Sequence, residues 1–189
     1  TGSFDIAFMR TIPNMVIATP SDENEMWRLL NSCYEHKGPA AVRYPRGSGT
    51  GTVIEDKNSK AEIGKAKKII DGKNLCILNF GVLLHRVESL AKNNNFGLYD
   101  MRFVKPIDVD VLKEIAIKYD RIVTLEDHTI IGGAGSCISE HFSMIGVNKK
   151  ILHIGLNDEF PKHGSRDEIL QLNGLDIESI NNKVLNFSK

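Results

Sequence analysis

The chain alternates short apolar segments with segments of helical period, and this alternation limits its possible folds more than any other feature. Strands are predicted at 13–19, 40–44, 75–80, 97–100, 121–126 and 151–154. Helices are predicted at 22–37, 82–92, 109–118, 133–144, 166–172 and 177–185. Strands that alternate with helices form parallel sheets covered on both faces. The sequence therefore predicts an α/β protein with a mostly parallel, doubly wound sheet.

Residues 48–63 interrupt the alternation, because they are rich in Gly, Thr, Ser, Asn, Asp and Lys and have no apolar period. They are predicted to be a linker between a β-α-β unit at 1–47 and a domain at 64–189. The second unit has the size of a self-sufficient domain, whereas the first buries too little apolar surface to fold alone. Three outcomes stay open for the first unit: disorder, packing on the second unit, or pairing with another copy. We expect pairing, because its strands lack neighbours.

Charge and cysteine content narrow the classes of partner. The chain has 24 basic and 24 acidic residues, so no net field attracts nucleic acid or an anionic membrane. Its longest apolar runs are too short to span a bilayer. The cysteines Cys33, Cys76 and Cys137 are odd in number and far apart, which is typical of reduced core residues in a cytosolic compartment. The histidines form no ligand-spaced pair, so no metal site is predicted.

The main candidate site is the end of the strand at 40–44. Pro45 cannot donate to a sheet ladder, and Gly47 lets the backbone turn away, so Arg46 is predicted to project from the carboxyl end of a strand. A guanidinium there presents a planar fork suited to phosphate or carboxylate. An ordinary exposed or ion-paired arginine is the alternative. Arg43 lies on the face opposite Tyr44 and is predicted to be a structural ion-pair partner.

Two other stretches carry chemistry-bearing residues. The run 126–128 (Glu-Asp-His) is either an acid-base cluster or a solvated loop, and we expect the loop. The glycine-rich run 132–136 follows a strand and opens a helix, as a phosphate cradle does. It departs from the dinucleotide template because Ile138 stands where the third glycine would be. Close helix packing or a subunit contact is therefore the preferred interpretation.

Several runs together carry a family resemblance that covers essentially the whole chain in order. They are Gly2-Ser3-Phe4-Asp5, Ile12-Pro13-Asn14-Met15-Val16, Thr19-Pro20-Ser21-Asp22-Glu23-Asn24-Glu25, Arg43-Tyr44-Pro45-Arg46-Gly47, Ile77-Leu78-Asn79-Phe80-Gly81, Asp100-Met101-Arg102-Phe103-Val104-Lys105-Pro106-Ile107-Asp108, Gly132-Gly133-Ala134-Gly135-Ser136 and Ile154-Gly155-Leu156-Asn157-Asp158. Taken together, the chain resembles the 1-deoxy-D-xylulose-5-phosphate synthases, which are thiamine-diphosphate enzymes of the transketolase superfamily.

The resemblance implies a transferase that condenses pyruvate with D-glyceraldehyde 3-phosphate and releases carbon dioxide, in the synthesis of isoprenoid, thiamine and pyridoxal precursors. It implies thiamine diphosphate and Mg²⁺ as cofactors, a homodimer, and a cytoplasmic or plastid location. The chain would correspond to the tail of the pyrimidine-binding domain (1–47) followed by a transketolase C-terminal domain (64–189).

The same resemblance also assigns residues. Arg46 matches the arginine that holds the phosphate of the aldehyde substrate. The family's substrate-contacting histidine and pyrimidine-contacting glutamate would precede Thr1, so no catalytic, cofactor-binding or metal-ligating residue is expected here. We therefore expect this chain to bind no cofactor and to be inactive alone. The alternative is a non-catalytic association domain of another member of the superfamily.

Overall fold

The structure, a computed structural model, describes residues 2–189. Its helices are α1 (Asp5–Met9), α2 (Glu23–Glu35), α3 (Leu84–Asn94), α4 (Val109–Lys118), α5 (Ala134–Met144), α6 (Arg166–Leu172) and α7 (Ile177–Ser188). Its strands are β1 (Val16–Ala18), β2 (Ala40–Val42), β3 (Lys67–Ile70), β4 (Leu75–Phe80), β5 (Gly97–Asp100), β6 (Phe103–Lys105), β7 (Arg121–Thr129) and β8 (Lys150–Leu156).

The first unit is the predicted β-α-β unit. Strands β1 and β2 pair in parallel, with Val16 opposite Ala40, and α2 connects them. The helix begins where the sequence predicts, because the Asp22 carboxylate accepts a hydrogen bond from the backbone N–H of Glu25 at 2.8 Å. The strand predicted at 40–44 is shorter, ending at Val42, and only half-buried.

The prediction that β1 would have an unpaired edge is wrong. Strand β6 pairs with β1 in antiparallel orientation, with Ile17 opposite Lys105, and so gives the three-stranded sheet the order β2-β1-β6. Because β6 belongs to the second unit, the first unit packs on the second within one chain. The two units share a small hydrophobic core, formed by Val16, Ala18, Leu29, Cys33, Ala61 and Phe103. Strand β1 therefore has a neighbour on both sides without the pairing to another copy that the sequence predicts.

The second unit contains a five-stranded sheet with the order β3-β5-β4-β7-β8. All neighbours pair in parallel except β3, which runs antiparallel to β5 at the edge. Helices α3 and α7 contribute Val87 and Ile180 to the core on one face, and α4 and α5 contribute Leu112 and Ile138 on the other. The predicted doubly wound α/β fold is therefore confirmed.

Residues 48–63 contain no helix or strand and lie along α2. The hydroxyl of Ser32 donates to the carbonyl of Ala61 at 2.6 Å, and the side-chain amide of Asn31 donates to the carbonyls of Lys57 and Ser59. This segment is thus attached to the surface of the first unit. Its interpretation as a linker between domains stays a prediction.

The three cysteines are not joined in disulfide bonds. Cys33, Cys76 and Cys137 carry free thiols, of which the first two are buried. Burial raises the pKa of all three thiols above the usual cysteine range. No helix within residues 2–189 is long and apolar enough to cross a membrane.

Candidate functional site

Arg46 lies beyond the end of β2, which stops at Val42 rather than at the predicted position 44. Its side chain is exposed, and it makes no hydrogen bond or ion pair with residues 2–189. Gly47 adopts a φ of 134°, which a residue with a side chain rarely adopts, so the chain turns sharply after the arginine. The guanidinium of Arg46 is therefore available to an anion from solvent.

Arg43 is the structural ion-pair partner that the sequence predicts. Its side chain is 12% exposed and pairs with the carboxylates of Asp5 and Asp127, while its Nη2 donates to the carbonyls of Gly2 and Asp127 at 3.1 and 3.0 Å. Its backbone N–H donates to the carbonyl of Ala18 at 2.8 Å. This side chain ties the end of β2 to the segment before α1 and to the end of β7.

The prediction that 126–128 form a solvated loop is wrong. Strand β7 continues through these residues to Thr129, and the side chains of Glu126, Asp127 and His128 are 2%, 8% and 0% exposed. The polar composition suggested solvent, but the first unit covers this strand end. The backbone N–H of Thr129 donates to the carbonyl of Ser3 at 3.0 Å, which forms part of that cover.

His128 binds the first unit through its ring. Its Nε2 lies 3.0 Å from the backbone N–H of Ile6, and its Nδ1 lies 2.9 Å from the carbonyl of Thr129. Because the N–H can only donate and the carbonyl can only accept, the ring carries its hydrogen on Nδ1 and is neutral. Burial lowers the pKa of His128, which agrees with that form. The residue thus has a structural contact rather than a free acid-base group.

The glycine-rich run 132–136 does not form an open phosphate cradle. The backbone N–H groups of Ala134 and Gly135, at the start of α5, both donate to the carboxylate of Glu126 at 2.8 Å. Burial raises the pKa of Glu126 to about 7, although these two hydrogen bonds act in the opposite direction. A Cβ at Gly133 would lie 2.3 Å from the carbonyl oxygen of Thr129. Close packing, the preferred interpretation, therefore accounts for these glycines.

A carboxylate also holds the chain after Arg46. Glu23, in the first turn of α2, accepts hydrogen bonds from the hydroxyl of Thr50 and the backbone N–H of Gly51, both at 2.7 Å. These contacts lower the pKa of Glu23 to about 2. The sequence predicted Glu23 only as part of a helix start. Its contact with residues 50 and 51 leaves no pattern in the sequence, because those residues lie far along the chain. The segment from Arg43 to Thr50 is thus fixed at both ends.

The described residues do not supply a metal centre. Within residues 2–189, no group of three or more His, Cys, Asp or Glu side chains could hold a metal ion. Mg²⁺ requires oxygen ligands in nearly octahedral geometry. Binding of Mg²⁺ and thiamine diphosphate by residues outside this chain stays an expectation of the family resemblance.

Comparison with protein families and solved structures agrees with this architecture. The model described as "Transketolase, C-terminal domain" matches residues 64–180, and that described as "Transketolase, pyrimidine binding domain" matches residues 1–51. A solved structure, "Split gene transketolase, inactive beta4 tetramer", is similar over 100% of this chain and 64% of its own, with a TM-score of 0.86 and 25% identity.

Curated sequences similar to this chain include 1-deoxy-D-xylulose-5-phosphate synthases. That of Saccharophagus degradans is 49% identical over 97% of this chain and 28% of its own length. That of Idiomarina loihiensis is 44% identical over 100% of this chain and 30% of its own length. The chain thus spans less than a third of these relatives. The chain belongs to the transketolase family, and within it to the sequences similar to 1-deoxy-D-xylulose-5-phosphate synthase.

Proposed function

We propose that the chain is part of a 1-deoxy-D-xylulose-5-phosphate synthase and that Arg46 binds the phosphate of D-glyceraldehyde 3-phosphate. One observation carries this proposal: Arg46 is exposed and unpaired with residues 2–189, whereas Arg43, three positions earlier, is held in ion pairs. The similarity to synthases over nearly the whole chain supports the same assignment. The complete reaction condenses the aldehyde with pyruvate, with loss of carbon dioxide.

In this proposal the residues of the chain bind and orient one substrate. The guanidinium of Arg46 offers two parallel N–H donors to a phosphate, and its planar fork fixes the orientation of the bound group. Thiamine diphosphate would supply the carbanion chemistry when bound to the complete enzyme. Dependence on Mg²⁺, a cytoplasmic location, homodimer formation and inactivity of this chain alone stay predictions.

The test is Arg46→Ala in a full-length synthase that contains these residues. The KM for D-glyceraldehyde 3-phosphate should rise by about tenfold or more while the KM for pyruvate changes by less than about twofold, because only the aldehyde has a phosphate. Arg46→Lys should be intermediate, since a point charge does not replace the fork. Arg86→Ala is the matched control, because Arg86 pairs with Asp167 in the second unit. Equal effects of Arg46→Ala on both substrates would contradict the proposal.

Association without catalysis is a second candidate function. It is favoured by the similarity to a solved structure whose description specifies an inactive β4 tetramer. The chain alone should then form a stable assembly and show no turnover with thiamine diphosphate, Mg²⁺ and both substrates. Light scattering measures the assembly, and detection of the product would contradict this candidate.

A further inference from the structure

Arg46 lies in an arch, which we define as residues 43–52, whose two ends are held by carboxylates. At one end Arg43 pairs with Asp127 of β7. At the other end Glu23 of α2 accepts hydrogen bonds from Thr50, Gly51 and Thr52, the last at 3.4 Å. The middle of the arch, including Tyr44, is exposed. The geometry of its ends therefore determines where Arg46 stands.

The first end of the arch is anchored in the five-stranded sheet. Asp127 belongs to a strand that pairs on both sides, and its side chain is 8% exposed. It contacts Arg43 twice, through its carboxylate and through its backbone carbonyl. Because both charges are shielded from water, this pair holds its geometry more firmly than an exposed pair would. The second unit thus fixes a residue of the first.

A short and stiff path leads from this anchor to Arg46. Only Tyr44 and Pro45 intervene, and three residue steps span at most about 11 Å. The ring of Pro45 fixes its own φ and restricts the residue before it. These two restrictions limit how far Arg46 can move relative to Arg43.

The second end of the arch is built around Glu23. A Cβ at Gly49 would lie 2.0 Å from Oε1 of Glu23, so a side chain at this position would displace the carboxylate from its present place. Three donors from three consecutive residues then converge on the two carboxylate oxygens. The partly buried carboxylate of Glu23, at the start of α2, thus holds this end of the arch.

We propose that Asp127 and Glu23 are positioning residues, which hold Arg46 where it meets the phosphate of the substrate. This inference rests on the proposed function, since it concerns the same arginine. Neither carboxylate can itself bind the phosphate, because like charges repel. Their proposed effect on the reaction passes through the arch, although Asp127 also lies 3.7 Å from Nη2 of Arg166.

The experiment compares Asp127→Asn and Glu23→Gln in a full-length synthase that contains these residues. Each substitution should raise the KM for D-glyceraldehyde 3-phosphate by about three- to tenfold and leave the KM for pyruvate and kcat within about twofold. Asp127→Glu should recover part of the loss, because it restores the charge. Asp71→Asn is the control, since Asp71 forms surface pairs with Lys68 and Lys118 in the second unit.

A double substitution separates positioning from a general structural effect. If Glu23 acts through Arg46, then Arg46→Ala combined with Glu23→Gln should be no worse than Arg46→Ala alone. Additive losses, or equal losses for both substrates, would overturn the positioning role. The proposed function fails instead if Arg46→Ala is itself unselective. If Arg46→Ala is selective while Asp127→Asn and Glu23→Gln have no effect, the proposed function stands and the positioning role is wrong.

Discussion

Arg102 donates a hydrogen bond from Nη2 to Oε1 of Glu25 at 2.8 Å, across 77 residues of sequence. The two side chains are 12% and 4% exposed, so the pair is shielded from water. Arg102 lies beside β6 in the second unit, and Glu25 lies in α2 of the first. This ion pair therefore joins the two units close to the sheet that they share.

The first prediction concerns this pair. Arg102→Ala should lower the free energy of unfolding by about 3 kcal/mol, because it leaves the buried carboxylate of Glu25 without its closest partner. Urea unfolding followed by circular dichroism measures the change. Lys68→Ala, which removes an exposed partner of Asp71, should cost less than about 1 kcal/mol. Similar losses for the two variants would contradict the importance of the buried pair.

The second prediction concerns close packing at the start of α5. A Cβ at Gly135 would lie 2.4 Å from Oγ1 of Thr124 and 2.6 Å from Nδ1 of His153. Gly135→Ala should therefore lower the free energy of unfolding by about 1–3 kcal/mol. Gly164→Ala is the matched control, since its nearest neighbour is the flexible end of Glu168 at 3.3 Å. Thermal unfolding measures both variants. An unchanged melting temperature for Gly135→Ala would show that a methyl group fits at position 135 without strain.

The third prediction concerns pH. Burial raises the pKa of Asp100 to about 7, and its Oδ2 has no hydrogen-bond partner among residues 2–189. A raised folded-state pKa contributes stability that is present below the unfolded value of 3.8 and is lost as pH rises through about 7. Within that window the contribution falls by up to about 1.4 kcal/mol per pH unit.

Asp100→Asn tests this sign, because the amide cannot ionise. Urea unfolding at about pH 5 and pH 7 should show a larger loss of stability in the unsubstituted protein than in the variant. Asp120→Asn, at an exposed position, is the control for replacing a carboxylate by an amide. Parallel curves for Asp100→Asn and the unsubstituted protein would contradict a raised pKa.

The fourth prediction concerns the proposed domain at 64–189. A polypeptide of these residues should unfold cooperatively, because it keeps the five-stranded sheet and the cores on both of its faces. It should also associate more than the full chain, since removal of β1 exposes the edge of β6. Light scattering on both polypeptides measures association, and a broad, non-cooperative melt would show that the boundary is misplaced.

The sequence predicted the elements whose signal is local. Strand β4 and helix α4 match the predicted ranges because apolar period, an N-cap aspartate and flanking glycine all act within a few residues. Strands β3 and β6 were missed, since they are short and their pairing partners lie far away in the chain. Strand structure there depends on tertiary contacts more than on propensity.

The same distinction applies to the candidate site. The sequence predicted that Arg46 follows a strand because Pro45 and Gly47 act within a few residues, although β2 ends earlier, at Val42. The burial of Asp127 and His128 did not follow, because the first unit covers them and composition alone suggested solvent. The sequence predicted Glu23 as part of a helix start. Its hydrogen bond with Thr50 was not predicted, because the two residues are 27 positions apart. Contacts of this kind have no signature in a single sequence.

The antiparallel pairing of β1 with β6 has a consequence for how the chain can be divided. A nick within 48–63 would separate the two family modules in sequence but would not cut the sheet that joins them. The two pieces should therefore complement each other, as separately made subunits do. The three-stranded sheet thus crosses the boundary between the two family modules.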